Sequence, residues 1–224
     1  NEFPTISKDK YLDSYENDPI LKKHKKWMNT SGSTGQSFSI PYTEQCKKNL
    51  YLQASYIREY FGINNKLPLI QIWGNSSKDT GLRRRLYRFK RGYMDKAVGV
   101  KRYNSYELSD ENFNDLIQFT NKVKRYNIYS YASSARALTS YIKRLNINIK
   151  YSPKSCILTA ENIYNKDFDI IGKTLNTQIM SEYGLVETGP LCYKDKAKSQ
   201  YKIDKRFSIV DIDKSQIIVT NLTP

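Results

Sequence analysis

Histidine is almost missing from this chain: His24 is the only one in 224 residues. Cysteine is scarce as well, with Cys46, Cys156 and Cys192 far apart. With one histidine and no Cys-x-x-Cys pair, the sequence carries no zinc-ligand pattern. Three dispersed cysteines are no disulfide framework. The expectation is a reduced, cytoplasmic protein with mostly buried thiols. Glycine (10) and proline (7) are too few for a long flexible linker. No run approaches the ~18 apolar residues of a membrane span, and no apolar stretch near the N-terminus has the form of a signal peptide. Repeats and low-complexity segments are absent too. What remains is 39% hydrophobic and 26% charged, a globular composition long enough for one domain with a real core.

Acidic residues are outnumbered, 22 against 37 Lys and Arg, for a formal charge of +15. Lys22-Lys23-His24-Lys25-Lys26 and Arg83-Arg84-Arg85 with Arg88, Lys90 and Arg91 form clusters, interleaved with Trp27, Tyr87, Phe89 and Tyr93. Basic patches with aromatics are one footprint of nucleic-acid binding. Two features argue against it here. Lys, Asn, Ile and Tyr are abundant together and evenly spread, as coding bias would leave them. Leu82, Leu86, Phe89 and Tyr93 also recur at helical spacing, so the arginines read as the solvated side of a helix whose apolar stripe faces the core. A basic patch of this kind can also steer nucleotide or coenzyme A phosphates.

Periodicity predicts alternating elements. A helix is expected over 43–61, with Cys46, Leu50, Ala54, Ile57 and Phe61 on one buried stripe. A strand follows over 67–73, then a helix over 110–124 and a strand over 127–131. Ser133 or Ser134 is expected to cap the next helix, which carries Leu138, Ile142 and Leu145. A strand over 155–159, a helix through Phe168, Ile171 and Leu175, and a strand over 177–180 running into a Tyr183-Gly184 loop complete the alternation. Segments 207–213 and 216–222 read as a hairpin. The predicted class is α/β: a mostly parallel sheet flanked by helices, with a C-terminal β-hairpin. In such sheets ligands bind beyond the carboxyl ends of the strands. The loops there are 74–77, 132–134, 160–162 and 182–187.

Two strings carry chemistry. Thr30-Ser31-Gly32-Ser33-Thr34-Gly35 combines glycine freedom with hydroxyl donors, a means of converging N–H groups on phosphate oxygens. It is not a Walker loop, which needs Gly-Lys-Ser/Thr at its end. Far downstream stands Ser181-Glu182-Tyr183-Gly184-Leu185-Val186-Glu187-Thr188-Gly189. Together they resemble the adenylate-forming enzymes, within them the branch of phenylacetate–coenzyme A ligases and capsule-biosynthesis ligases. Pro4-Thr5-Ile6-Ser7-Lys8 resembles that branch's Pro-x-x-x-Lys lead-in, Tyr131-Ala132-Ser133-Ser134 its Tyr-Pro-Ser-Ser, and Thr159-Ala160-Glu161 its Thr-Gly-Glu.

The resemblance implies ATP-dependent activation of a carboxylic acid as an acyl-adenylate, for transfer to coenzyme A or to an amine or sugar. It implies that Thr30, Ser31, Gly32, Ser33, Thr34 and Gly35 bind the ATP phosphates. Ala160, Glu161, Asn162, Glu182, Tyr183 and Gly184 would line adenine and ribose, and Tyr131, Ser133 and Ser134 would border the acyl pocket. Glu187 would be the catalytic ligand of magnesium (Mg2+), which suits one or two carboxylates plus substrate phosphates. The implied partners are ATP, a small carboxylic acid and an acceptor thiol or amine.

The sequence also departs from the pattern. Val186 stands where the family usually has Ser or Thr, and Ser37-Phe38 where many relatives have Pro-Lys. The resemblance reaches Leu222-Thr223-Pro224 before the family's ribose-binding Asp, its hinge and its small C-terminal domain with a catalytic lysine. Residues 1–224 are therefore expected to be a partial large N-terminal domain, needing that missing domain in cis or in trans. The competing expectations are a non-catalytic nucleotide-binding remnant and a basic nucleic-acid-binding domain.

Overall fold

A computed structural model of the chain describes residues 7, 10, 27–29, 39–74, 82–195, 200–213 and 216–222. Two compact units emerge: residues 1–57, 184–191 and 203–224 form one, and residues 58–183 and 192–202 the other.

The second unit carries the alternating pattern. Its elements are β3 (Leu69–Trp73), α2 (Leu82–Ala97), β4 (Val100–Asn104), α3 (Asp110–Val123), β5 (Asn127–Tyr131), α4 (Ala132–Arg144), β6 (Ser155–Thr159) and α5 (Asn165–Leu175). To these it adds most of β7 (Ile179–Leu185) and part of β8 (Gly189–Asp195). With β9 (Lys202–Ile203) the strands make a seven-stranded sheet in the order β4-β3-β5-β6-β7-β8-β9. The pairs β3–β4, β3–β5, β5–β6 and β6–β7 are all parallel. A parallel ladder with helical crossovers buries both faces, so its strands become continuously apolar. β6 shows this: Cys156, Ile157 and Leu158 are all at most 1% exposed. The core gathers Ile70, Ile72, Ile128, Leu138, Leu158 and Ile171 from strands and helices together.

Helix ends follow local chemistry. Ser109 caps α3 in a reciprocal box with Asn112, whose backbone N–H donates to the serine Oγ at 3.3 Å. Asp110 and Glu111 lie in its first turn, where the helix dipole favours them. Asn176 ends α5 in the left-handed region, φ 49°, a conformation that asparagine tolerates. At α4 the expected serine cap is absent. Tyr131 occupies the N-cap position without a side-chain hydrogen bond, because Ser133 is engaged elsewhere.

The first unit holds β1 (Trp27–Asn29) paired antiparallel with β2 (Ser39–Pro41), most of α1 (Glu44–Tyr60), and the hairpin β10 (Ser208–Asp213) with β11 (Gln216–Asn221). The hairpin matches its sequence reading. In α1, Ile57 and Gln53 are the buried residues, while Cys46 is half-buried rather than a core thiol. Gln53 enters the interior because its amide nitrogen donates to the Pro190 carbonyl at 3.1 Å.

Two further expectations are corrected. Tyr183 and Gly184 do not form a loop: β7 runs on to Leu185. On α2, Phe89 and Tyr93 do not face the core: they are 81% and 75% exposed. Among the described residues no helix is long and apolar enough to cross a membrane.

Candidate functional site

Parallel register lines up the sequence motifs. Tyr131 on β5 pairs with Thr159 on β6, and Thr159 pairs with Glu182 on β7. Three segments that are distant in sequence thus line up toward the carboxyl ends of adjacent strands, where α/β sheets place ligands; β5 ends at Tyr131 and β6 at Thr159, while β7 continues past Glu182 to Leu185.

There lies a buried polar knot centred on Glu182, itself 4% exposed. Arg58 donates to its carboxylate through Nε at 3.1 Å and Nη2 at 3.0 Å. The Tyr129 hydroxyl donates to one oxygen at 2.7 Å and the Tyr193 hydroxyl to the other at 2.6 Å. Burial would push the Arg58 pKa down, but the Glu182 charge overrides it and the net shift is upward. Tyr129 and Tyr193 are pushed up, first by burial and then by the same carboxylate. Full satisfaction is what a buried charge requires. The Glu182 side chain is therefore spent on this knot.

An aromatic wall rises from it. The Arg58 guanidinium lies 4.5 Å from the Tyr129 ring centroid, a cation–π contact. Trp73, at the end of β3, stacks on Tyr129 at 5.3 Å and 6° and tilts over Tyr131 at 4.6 Å. Burial raises the Tyr131 pKa, while the Gly74 backbone acts the other way.

The loop after β6 is built on Glu161. Its carboxylate accepts from the Ser133 backbone N–H at 2.6 Å and from the Ser133 hydroxyl at 2.7 Å. A carboxylate there satisfies donors at the first turn of α4 and suits the positive end of its dipole. This is why no serine side chain caps the helix. Arg136 adds an ion pair to Glu161 at 3.9 Å and to Asp167 at 2.8 Å. Ala160 turns the chain with φ 61°, a conformation that costs a non-glycine residue about 1–2 kcal/mol. Ala160, Glu161 and Asn162 are exposed, whereas Ser134 is 3% exposed.

Tyr183 follows Glu182 with the opposite orientation, 37% exposed, its ring edge-on to Tyr201 at 6.4 Å. Ser181 and the Tyr201 hydroxyl are 2.5 Å apart.

In the first unit, Gly184 is explained by close approach. A Cβ there would stand 2.6 Å from the Gly189 oxygen and 2.8 Å from the Pro190 Cα. Glu187 sits half-buried in the turn between β7 and β8. Among the described residues no group of three or more His, Cys, Asp and Glu is placed to hold a metal. Thr30 to Gly35 lie outside the described residues, but the strands that bracket them pair, Asn29 opposite Ser39.

The sequence did not single out Arg58, Tyr129 or Tyr193. Nothing local marks them, since they meet only in the folded sheet. Trp73 carried a faint signal as the last residue of a predicted strand. A depression of about 400 Å³ between the C-terminal halves of α4 and α5, lined by Lys143, Asn146 and Lys173 among others, contains no motif residue.

No protein-family model matches the chain. It is 25% identical over 200 residues to Protein CapK of Staphylococcus aureus, an alignment covering 88% of this chain and 43% of CapK. Among solved structures it resembles 2-hydroxyisobutyryl-CoA ligase in the postadenylation state in complex with R3-HIB-AMP. The TM-score is 0.69 at 13% identity, over 99% of this chain and 50% of the ligase. It also resembles VinN in complex with L-aspartate, with a TM-score of 0.57 at 14% identity, over 87% of this chain and 49% of VinN. The chain thus spans about half the length of the proteins it matches, and its fold is that of the matching part of 2-hydroxyisobutyryl-CoA ligase and VinN.

Proposed function

We propose that this chain is the nucleotide- and acid-binding part of an ATP-dependent ligase that activates a carboxylic acid as its acyl-adenylate. The acyl group then passes to coenzyme A, an amine or a sugar. The observation that carries this reading is the register of Tyr131, Thr159 and Glu182, which lines up three separate motif segments toward the carboxyl ends of adjacent strands.

In this reading the exposed face of Tyr183 flanks adenine, and the backbone of Ala160, Glu161 and Asn162 lines adenine and ribose. Glu182 contributes its backbone, because its carboxylate is committed to Arg58 and two tyrosines. Trp73 and Tyr131 form an aromatic wall for the acid. Thr30 to Gly35 hold phosphate oxygens through N–H and hydroxyl donors. Adenylation brings two anions together, so donors fixed before reaction are worth more than mobile ones.

The Glu187 carboxylate has no hydrogen-bond or ion-pair partner among the described residues, which fits a ligand awaiting a cation. A single protein carboxylate plus phosphates is how magnesium is usually held. When bound, magnesium would offset the charge of the phosphates. The ribose-binding Asp and the lysine-bearing small domain belong, in this reading, to a longer protein or a partner.

Two measurements test it. AMP or magnesium-ATP raises the melting temperature of the chain, as ligands of the folded state do, and Tyr183→Ala abolishes the shift. Pyrophosphate exchange into ATP is slow with these 224 residues and readily seen once the small domain is supplied, and Glu187→Gln suppresses it. Exchange indifferent to Glu187→Gln, or an AMP shift unchanged by Tyr183→Ala, refutes the assignment of those residues.

A further inference from the structure

Helix α2 is amphipathic but mounted inside out. By helical spacing, Phe89 and Tyr93 lie about 40° apart on one side at 100° per residue. Asp95 lies about 140° from the middle of that pair. It is Asp95 that ties the helix to the sheet: Arg102 on β4 donates to its carboxylate at 2.7 Å through Nε and 3.1 Å through Nη2. Every residue from 89 to 98 is exposed except Asp95. Asp95 therefore marks the side of the helix that meets the protein, and Phe89 and Tyr93 face outward along one line. Met94, off that line beyond Lys90, and Val98, just past the end of the helix, are exposed too, at 58% and 69%.

Charge frames the line of Phe89 and Tyr93. The helix LRRRLYRFKRGYMDKA carries seven basic residues and one acid. Lys96 borders that line on one side and Lys90 on the other, by the same spacing. Exposed Phe and Tyr along one line, flanked by cations, are the pattern of a helix that lies in a membrane interface. Such a helix inserts its apolar side among acyl chains while its flanking cations meet lipid phosphates.

We propose that α2 docks the protein on an anionic lipid bilayer, lying in the headgroup plane. The charge decides among occupants. A second copy of α2 would bring a second set of cations against the first, which repel. Nucleic acid would answer the charge and can stack on flat aromatic faces, but it offers the exposed Met94 side chain no apolar partner. An anionic bilayer answers both halves of the surface.

The test uses the 224-residue chain and co-sedimentation with phosphatidylcholine vesicles, with and without phosphatidylglycerol. Binding is expected only to the phosphatidylglycerol vesicles and weakens in high salt. The double change Phe89→Ser with Tyr93→Ser should lower it about tenfold or more, since each removes a large buried apolar group from the bilayer. Lys90→Gln with Lys96→Gln should lower it by a similar factor and leave the melting temperature unchanged. Failure to bind phosphatidylglycerol vesicles at low salt overturns the proposal. So does binding untouched by the serine changes, which would reduce it to unspecific charge. Tighter binding to RNA than to the vesicles, or light scattering showing a dimer that the serine changes dissolve, overturns it in favour of those partners. None of these readouts depends on the ligase reading.

Discussion

Arg58 and Glu182, 124 residues apart in sequence, meet in a two-point ion pair at 3.0–3.1 Å, with the glutamate side chain 4% exposed. Two tyrosine hydroxyls complete the acceptor shell of that carboxylate. Breaking a buried pair strands a charge, which costs more than the pair contributes. Glu182→Gln should lower unfolding free energy by about 3 kcal/mol, measured by urea denaturation. Removing both charges in Arg58→Met with Glu182→Gln should recover a substantial part of that loss. A single mutant as stable as the parent would contradict the described packing.

Ala160 occupies a left-handed backbone conformation, φ 61°. Ala160→Gly should stabilise the protein by about 1 kcal/mol, because glycine adopts positive φ without a steric cost. Thermal melting reads this directly. Most changes to glycine destabilise, so an increase is a sharp outcome.

Gly184 tolerates no side chain. The atoms that a Cβ would meet are backbone, 2.6 Å and 2.8 Å away, and backbone cannot swing aside as a side chain can. Gly184→Ala should cost about 3 kcal/mol or more. At Gly74 the obstruction is the Tyr106 ring at 2.7 Å, on a residue 64% exposed. Gly74→Ala should therefore be much milder. Melting temperatures of the two variants should rank in that order.

Cys156 is pushed up to about 12 and Cys192 to about 11, both by burial. An unfolded thiol ionises near 8.5. The folded pKa values lie above the unfolded ones, so this contribution is complete below about pH 8.5 and drains away as pH climbs toward the folded values. The raised tyrosines Tyr103, Tyr126, Tyr129 and Tyr193 act in the same direction. Denaturation midpoints should fall steadily above that pH. In the native protein at pH 8, iodoacetamide should label Cys46, which is half-buried, well before Cys156 or Cys192. Mass spectrometry of the labelled peptides tells them apart.

Much of the fold was legible in the sequence because parallel strands and their helices write themselves locally. Strands 127–131 and 155–159 appear where apolar runs end in small polar residues, and α3 begins at its predicted acidic turn. Two kinds of feature were not legible. Extension of β7 through Gly184 depends on the close approach of Gly189 and Pro190, which no local preference reveals. The outward side of α2, with Phe89 and Tyr93, depends on Asp95 meeting Arg102. An amphipathic pattern shows that a helix has two faces but not which one the protein keeps. At the site, motif residues could be listed by type, yet the use of Glu182 became visible only with Arg58, Tyr129 and Tyr193 around it. Glu161 likewise required the neighbouring helix end to show its partner.

The sheet order has a bearing on synthesis. β5 pairs with β3, β6 with β5 and β7 with β6. A nascent chain leaving the ribosome meets a finished template for each strand from β5 to β7 as it emerges, which keeps the loops to be closed short. The Arg58–Glu182 clasp cannot join in until the last of these strands is out. Arg58 then waits, hydrated, at the end of α1 through the making of more than half the protein, and its capture by Glu182 marks the moment when the growing sheet becomes a locked one.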